Sequence, residues 1–460
     1  MMTGKQYKAS LKDGRRVYYD GQLIEDCATH PSLASAADTV ESTYDHYYKP
    51  GADALRDYMS VPRSVEALRT HMVKHSDMLT EITFASTMTL LTAGDRIAKI
   101  RPQGRENIQA FVRHVQKNDL RMTECITDAK GDRSKPPAKQ DDRDAYLRVI
   151  ERRSDGVVVR GAKLHISLAP LGHELMTIPT KAMKPDEQEY AIAFSVPVNT
   201  PGVKIINVGK PPLSKDTRDF PVTSQMFISQ GFVIYDDVFV PNERIFLDGE
   251  AEQAAVFAHS LGLWTRALGL ARMADEADMM AGLAQLVAEA NCLEKVSHIK
   301  DKIADMVIHA TLIRATLEAS FANSKLSPDG VPVPDELYTN AGKYLGASNY
   351  VLIVRNLMDI AGGSGLTVPS MLDLENPDTG NLLRKYMATK SSVDGEYRMR
   401  LLQTVRDLTA TSNGGYRVNA NLLGGGGLFA QRVVTRGRYD MERAKRLALK
   451  VAGLEKPASA

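Results

Sequence analysis

The chain has 460 residues, 43% hydrophobic and 25% charged, with 58 basic against 56 acidic side chains for a formal net charge of +2. That length carries more apolar material than a single core uses, so two or three lobes are expected. A charge so nearly balanced sets up no field to draw in nucleic acid or an anionic membrane, and neither is expected as a partner.

The first residues, MMTGKQYKASLKDGRRVYYDG, contain no apolar h-region, so no secretory signal is expected there. No run of apolar residues approaches the length that crosses a bilayer. Cys27, Cys125 and Cys292 are scattered and odd in number. This argues against a disulfide framework and fits a reducing, cytoplasmic setting.

Residues 1 to about 125 read mainly as helix. Helical spacing is clearest around 64–93, where Ser64 is placed to cap a run with Val65, Leu68, Met72, Met78 and Leu79 turned inward. TDAKGDRSKPP, residues 127–137, ends this region, because Pro136 and Pro137 lack amide donors and cannot continue a helix. The texture then changes. AYLRVIERRSDGVVVRGAKLHISLAPLGHELMTIP, EYAIAFSVPVNTPGVKIINVG and QGFVIYDDVFVPNERIFL are β-branched and aromatic runs punctuated by DG, PG and PN, which predicts the strands of a β lobe. No long helices are interleaved with them, so a doubly wound parallel sheet is not expected. From about Ala254 the helical period returns. Ile299, Ile303, Met306, Ala310, Ile313, Leu317 and Phe321 step by three or four and predict one buried stripe. A second long helix is predicted to close on Gly362 and Gly363. The expected division is 1–138 helical, 139–253 β and 254–460 a helix bundle.

Motifs taken singly do not name a reaction. His71 and His75 are four apart on a predicted helix, but no glutamate lies between them and no third ligand suggests itself, so a structural pair is expected. His165 and His173 are read as structural. The glycines 424–427 of LLGGGGLFAQR match neither GxGxxG after a strand nor a P-loop, so a plain loop is expected there, as in AGGSGLTVPS at 361–370. No serine stands in a nucleophile elbow.

Taken in order, several stretches carry a resemblance. KDGRRVYYDGQLIEDCATHP, TDAKGDRSKPP, GVVVRGAKLHISLAPLGHEL, FVIYDDVFVPNERIFL, SHIKDKI, AGGSGLTVPS and GGYRVNANLLGGGG together resemble the 4-hydroxyphenylacetate 3-hydroxylase family over nearly the whole chain. The resemblance implies a mainly α, acyl-CoA-dehydrogenase-like fold: helical N-lobe, β middle domain and C-terminal helix bundle, assembled as a homotetramer or homodimer. It implies a flavin-dependent two-component monooxygenase in which a separate flavin reductase supplies FAD as FADH2. Oxygen would add at C4a of the isoalloxazine to give a hydroperoxide that oxidises an electron-rich, aromatic small molecule.

Carried over residue by residue, the resemblance sets Ile126, Thr127, Lys130, Gly131, Asp132 and Arg133 along the FAD. Arg133 suits a pyrophosphate through its planar fork. Ser167 falls where the family has a threonine facing the flavin, and Gly415, Tyr416 and Arg417 fall near a C-terminal flavin contact. Pro179 and Thr180 fall where substrate is contacted. Glu124 and Arg133 are the candidate catalytic residues. Glu124 aligns with a histidine, and a carboxyl there donates a proton only if burial raises its pKa.

A second branch of the family, 4-hydroxybutyryl-CoA dehydratase and vinylacetyl-CoA isomerase, uses a [4Fe–4S] cluster on three cysteines and a histidine. Those ligand positions fall near Ala85, Thr89, Thr265 and Arg272, and its catalytic glutamates near Gln230 and Asn419, so no metal is expected. A cluster-free isomerase or dehydratase acting on an acyl-CoA is the alternative, and an inactive paralogue a further one. The family's phenol-binding arginine and tyrosine are also missing from the helix that contains ITFASTMTLLTAGD.

Overall fold

The computed structural model describes residues 1–51, 54–75, 78–209, 216–225 and 228–454. Helices α1 (Gly4–Ser10), α2 (Ala34–His46), α3 (Val65–Lys74), α4 (Met78–Ile97) and α5 (Pro102–Asn118) form the N-terminal part. Ser64 caps α3 by accepting the Ala67 amide at 3.1 Å, and Leu68 and Met72 are buried as expected. The run does not continue unbroken to residue 93, since His75 closes α3 before α4 begins. The Met78 and Leu79 side chains lie outside the described residues.

One early expectation is corrected. Val17–Tyr19 (β1) and Gln22–Ile24 (β2) form a hairpin over Asp20 and Gly21, both with positive φ, inside the stretch read as mainly helical. Its short alternation is sheet chemistry that the helical surroundings hid.

The strands β3 (Met122–Cys125), β4 (Thr127–Asp128), β5 (Arg148–Arg152), β6 (Gly156–Ser167), β7 (Glu174–Thr177), β8 (Ile192–Pro197), β9 (Val203–Asn207), β10 (Gln230–Pro241) and β11 (Ile245–Asp248) follow. They make two sheets. One runs β2-β1-β9-β10-β6-β4, with β5 also on β6, and the other runs β11-β8-β7-β3. The pairs are mainly antiparallel, with β1–β9 and β3–β7 parallel. Val157, Val159, Val233, Val238 and Val240 of the long β6–β10 pair are buried with Phe194 and Val196 of the other sheet in one core, the β-branched density that marked these strands in the sequence.

The C-terminal part holds α6 (Ala254–Ala290), α7 (Ser297–Ala322) and α8 (Glu336–Ala361). Short helices α9 (Ser364–Thr367), α10 (Met371–Glu375) and α11 (Gly380–Met387) lead to α12 (Gly395–Thr409), α13 (Ser412–Leu423), α14 (Leu428–Arg438) and α15 (Met441–Val451). Helix α6 is largely apolar because α4, α7 and α8 pack on it from different sides, with Asp275, Asp278, Gly282 and Glu289 left on an exposed stripe of its second half. Of the predicted α7 stripe, all members are buried except the half-buried Ile303. Gly362, at φ 66°, terminates α8. The fold is mainly α with a β middle layer, acyl-CoA-dehydrogenase-like. The sheets meet α4 along β3 and α6 along β8.

Candidate active site

The TDAKGDRSKPP loop springs from a clamped root. Lys163 of β6 is buried, pairs with Asp128 at 2.8 Å and donates to the carbonyls of Ile126 and Ile178, each at 3.0 Å. It thereby ties β4 to the segment that ends in the buried Pro179 and half-buried Thr180. Lys130 (φ 72°) and Gly131 (φ 50°) then turn the chain through two left-handed residues. A Cβ on Gly131 would lie 2.4 Å from Gln140 Oε1, so glycine is demanded by the loop's own bracing. Gln140 accepts from the Asp132 amide at 2.9 Å and donates to the carbonyls of Asp132 (2.8 Å) and Lys135 (3.0 Å). The Asp132 carboxylate is spent on the Ser134 amide and hydroxyl, at 3.0 and 2.7 Å, and so shapes the loop.

Three cations gather at this root. Burial, then the charges of Arg133 and Lys181, hold the Lys130 ammonium below its ordinary pKa. Lys181 stands 5.4 Å over the Tyr146 ring. Among the described residues no carboxylate pairs with Lys130, Arg133 or Lys181, whereas most other cations nearby are paired. Like charges so grouped call for an anion between them. Ile126 contributes a carbonyl to the clamp and a half-buried side chain to the core beside it, and Thr127 pairs with Leu164.

Further in, β3, the end of β6, α4, α6 and α13 converge on a polar chamber. Ser167 and Gln230, directly opposite each other across β6 and β10, are linked at 3.1 Å. The Tyr416 hydroxyl also bonds Ser167, joining two residues far apart in sequence, and burial pushes that hydroxyl up to about 12. Glu124 on β3 has its pKa pushed up to about 8, by burial first and by the nearby Glu81 carboxylate second, with Thr265 easing it slightly. Its Oε1 and Thr265 Oγ1 are both buried, and the two side chains lie within hydrogen-bonding reach of each other. Glu81 of α4 pairs with Arg272 of α6 at 2.8 Å. Glu124, Arg272 and Tyr416 are each half-buried and keep part of their surface accessible.

Beside them lies a second network. Glu276 is 2.7 Å from both Arg417 and the Tyr350 hydroxyl and 3.0 Å from Asn421 Nδ2. Burial alone would raise its pKa, but Arg417, Asn421 and Tyr350 together hold it low. Arg417 is therefore committed to a carboxylate, while Gly415 is exposed on α13 with open space around it. Lys343 donates to the Asn421 carbonyl at 2.5 Å, and burial together with Arg272 and Arg266 lowers it to about 7.

The remaining motifs are structural. His173 accepts the Arg121 amide at 2.9 Å and contacts Ser10 Oγ at 2.8 Å. His71 stacks on Phe84 with centroids 3.8 Å apart. The 424–427 loop is held by Arg266, whose Nε donates to the Gly425 carbonyl at 2.8 Å. The sequence reading missed Lys163, Glu81, Glu276 and Lys343. Their only advance signal is a charged residue at a position whose helical or strand period calls for an apolar one.

The chamber also tests two cofactors. Ala85, Thr89, Thr265 and Arg272 offer a methyl, two hydroxyls and a guanidinium, a donor set that cannot hold an iron–sulfur cluster. The unpaired cations at the loop root, followed by Ser167 and the accessible faces of Glu124, Arg272 and Tyr416, suit a long ligand with an anionic middle and a flat polar end, as FAD is.

Comparison with known proteins agrees with this geometry. Residues 3–247 match the family model for the 4-hydroxyphenylacetate 3-hydroxylase N terminal region, and 254–453 match that for its C terminal region. The chain is 29% identical to the 4-hydroxybutyryl-CoA dehydratase/vinylacetyl-CoA-Delta-isomerase of Clostridium aminobutyricum, covering 99% of this chain and 100% of that one. It is 27% identical to an FADH2-dependent monooxygenase of Burkholderia cepacia, covering 99% and 93%. The crystal structure of a 4-hydroxyphenylacetate 3-monooxygenase oxygenase component complexed with FAD shares the fold, with a TM-score of 0.89, 24% identity and coverage of 98% and 99%.

Proposed function

This chain belongs to the 4-hydroxyphenylacetate 3-hydroxylase family, and from that premise we propose that it is the oxygenase component of a two-component monooxygenase that receives FADH2 from a separate flavin reductase. The observation that carries this reading is the proton-holding Glu124, which has no cationic partner among the described residues, beside Ser167 and Tyr416 and inward of a cation-lined loop. The relatives include FADH2-dependent and phenol-oxidising monooxygenases, and the substrate class proposed here is an electron-rich aromatic molecule.

Arg133, with Lys130 and Lys181, would hold the FAD pyrophosphate, and Ser167, positioned by Gln230 and Tyr416, would face the ring system. Reduced flavin, when bound, supplies the activation of oxygen. The chain's own contribution is to hold that group away from water and to keep a proton at Glu124 at neutral pH, available to an oxygen leaving with negative charge. The Pro179–Thr180 segment, fixed by Lys163, would border the substrate.

A second reading, a cluster-free FAD-dependent isomerase or dehydratase of an acyl-CoA, draws on the full-length similarity to the clostridial enzyme. One experiment separates the two. Anaerobic protein is titrated with FADH2, then given an oxygen pulse while hydrogen peroxide and flavin absorbance are followed. The oxygenase reading expects tight FADH2 binding and peroxide release much slower than from free reduced flavin. Stable FAD binding without oxygen consumption supports the second reading instead.

A further inference from the structure

Thr265, Gly269 and Arg272 stand four and three residues apart on α6, and so share the face that looks toward Glu124 and Glu81. The Thr265 hydroxyl is buried beside the Glu124 carboxyl. Gly269 places no side chain beside Arg272: a Cβ there would be in ordinary contact, 3.4 Å from Lys343 Cε and 3.9 Å from an Arg272 terminal nitrogen. Arg272 uses one terminal nitrogen on Glu81, and among the described residues no other hydrogen bond occupies its guanidinium, whose side chain stays 18% exposed. A guanidinium presents its donors as a planar fork made for two oxygens of one group. Arg272 and Lys343 lie near Glu81 and Glu276, and protonated Glu124 adds no negative charge to that balance.

We propose that Arg272 is the specificity residue of this site, and that it binds the oxyanion of a small aromatic substrate, a phenolate or a carboxylate, beside Gly269. The inference rests on the monooxygenase reading for its substrate class, but its chemistry is testable without turnover. The free donors of Arg272 meet the oxyanion, Thr265 donates a neutral hydrogen bond beside it, and protonated Glu124 adds no opposing charge. Glu81 keeps the guanidinium oriented from behind, so the bound anion joins an arranged pair and does not have to reorganise it.

The test titrates 4-nitrophenol, 4-nitrobenzoate and the uncharged 4-nitroanisole into protein with and without oxidised FAD, with FAD affinity measured separately by flavin fluorescence. The expected result is binding of 4-nitrophenol, 4-nitrobenzoate or both in preference to 4-nitroanisole. Binding as 4-nitrophenolate appears as a raised phenolate absorbance at a pH where the free probe is partly neutral. Arg272→Met is expected to weaken the preferred probe by about 10–100-fold, the range for a charge-assisted hydrogen bond, and to abolish the absorbance change while FAD still binds. Arg272→Lys should fall between. Because Arg272→Met leaves the Glu81 carboxylate without its cation, Glu81→Gln with Arg272→Met is measured beside it. Equal probe affinity in wild type and both methionine variants overturns the proposal. So does equal binding of 4-nitroanisole, or no binding of either anion. Loss of FAD binding in the wild type overturns the monooxygenase reading instead, and the FAD-free titrations still decide the role of Arg272.

Discussion

The two charged regions of this site handle charge in opposite ways. At the loop root, Lys130, Arg133 and Lys181 lie near one another with no ion pair among the described residues, and solvent at the exposed 131–134 tip makes that tolerable. In the inner chamber nearly every charge is paired or hydrogen-bonded: Glu81 with Arg272, Glu276 with Arg417, Lys343 with a carbonyl. Burial penalises a lone charge there, so a group left without a partner ionises differently. Glu124 is that group, and burial together with the Glu81 carboxylate keeps its proton on at neutral pH. Unpaired cations outside await an anion, and an unpaired carboxyl inside becomes an acid.

The contrast can be broken hardest at the hinge between the regions. Lys163→Met removes the cation of the fully buried Lys163–Asp128 pair and leaves Asp128 enclosed. Chemical denaturation should show a loss of about 3–5 kcal/mol, the range for orphaning a buried charge. Hydrogen exchange should rise first in the strand and loop around Ile126.

Glu124→Gln sharpens the inner half. Coupled product formation should fall by about 100-fold, the lower range for removing a general acid, while FAD affinity holds. In the wild type the protonated form is the active one, so turnover should fall as pH rises through about 8, and the variant should lose that limb. Stability follows the same sign. Burial raises the folded-state pKa of Glu124, so the stabilisation tied to its proton is complete below the free-glutamate range and is lost as pH rises through about 8. A variant that retains full coupled turnover sinks the acid role.

Arg133→Ala probes the outer half. FAD affinity should weaken by about tenfold at low ionic strength, as for one charge-assisted contact at a solvent-facing site, and the difference from wild type should shrink in high salt. An unchanged affinity at low salt would remove Arg133 from the cofactor site. The smallest effect is expected at Arg160, whose ion pair with Asp237 at 2.6 Å is solvent-exposed. Arg160→Ala should leave the thermal midpoint unmoved, because water screens such a pair.

The sequence by itself determined the layer order, since periodicity, β-branched density and Gly or Pro punctuation act over neighbouring residues. It also marked the loop at 127–137 and, through resemblance, Ser167 and Tyr416, whose shared hydrogen bond the structure supplies. The hairpin at residues 17–24 escaped because its strands are only three residues each and the strand that joins β1 to the sheet, β9, lies far along the chain. Only the tertiary structure decided what each charge does. Glu81, Glu124, Arg272 and Lys343 come from four elements, and whether such a group is an acid, a counter-ion or an open donor depends on which others share its low-dielectric surroundings. Coulomb and desolvation energies depend on distance through space, and linear order carries no measure of that distance.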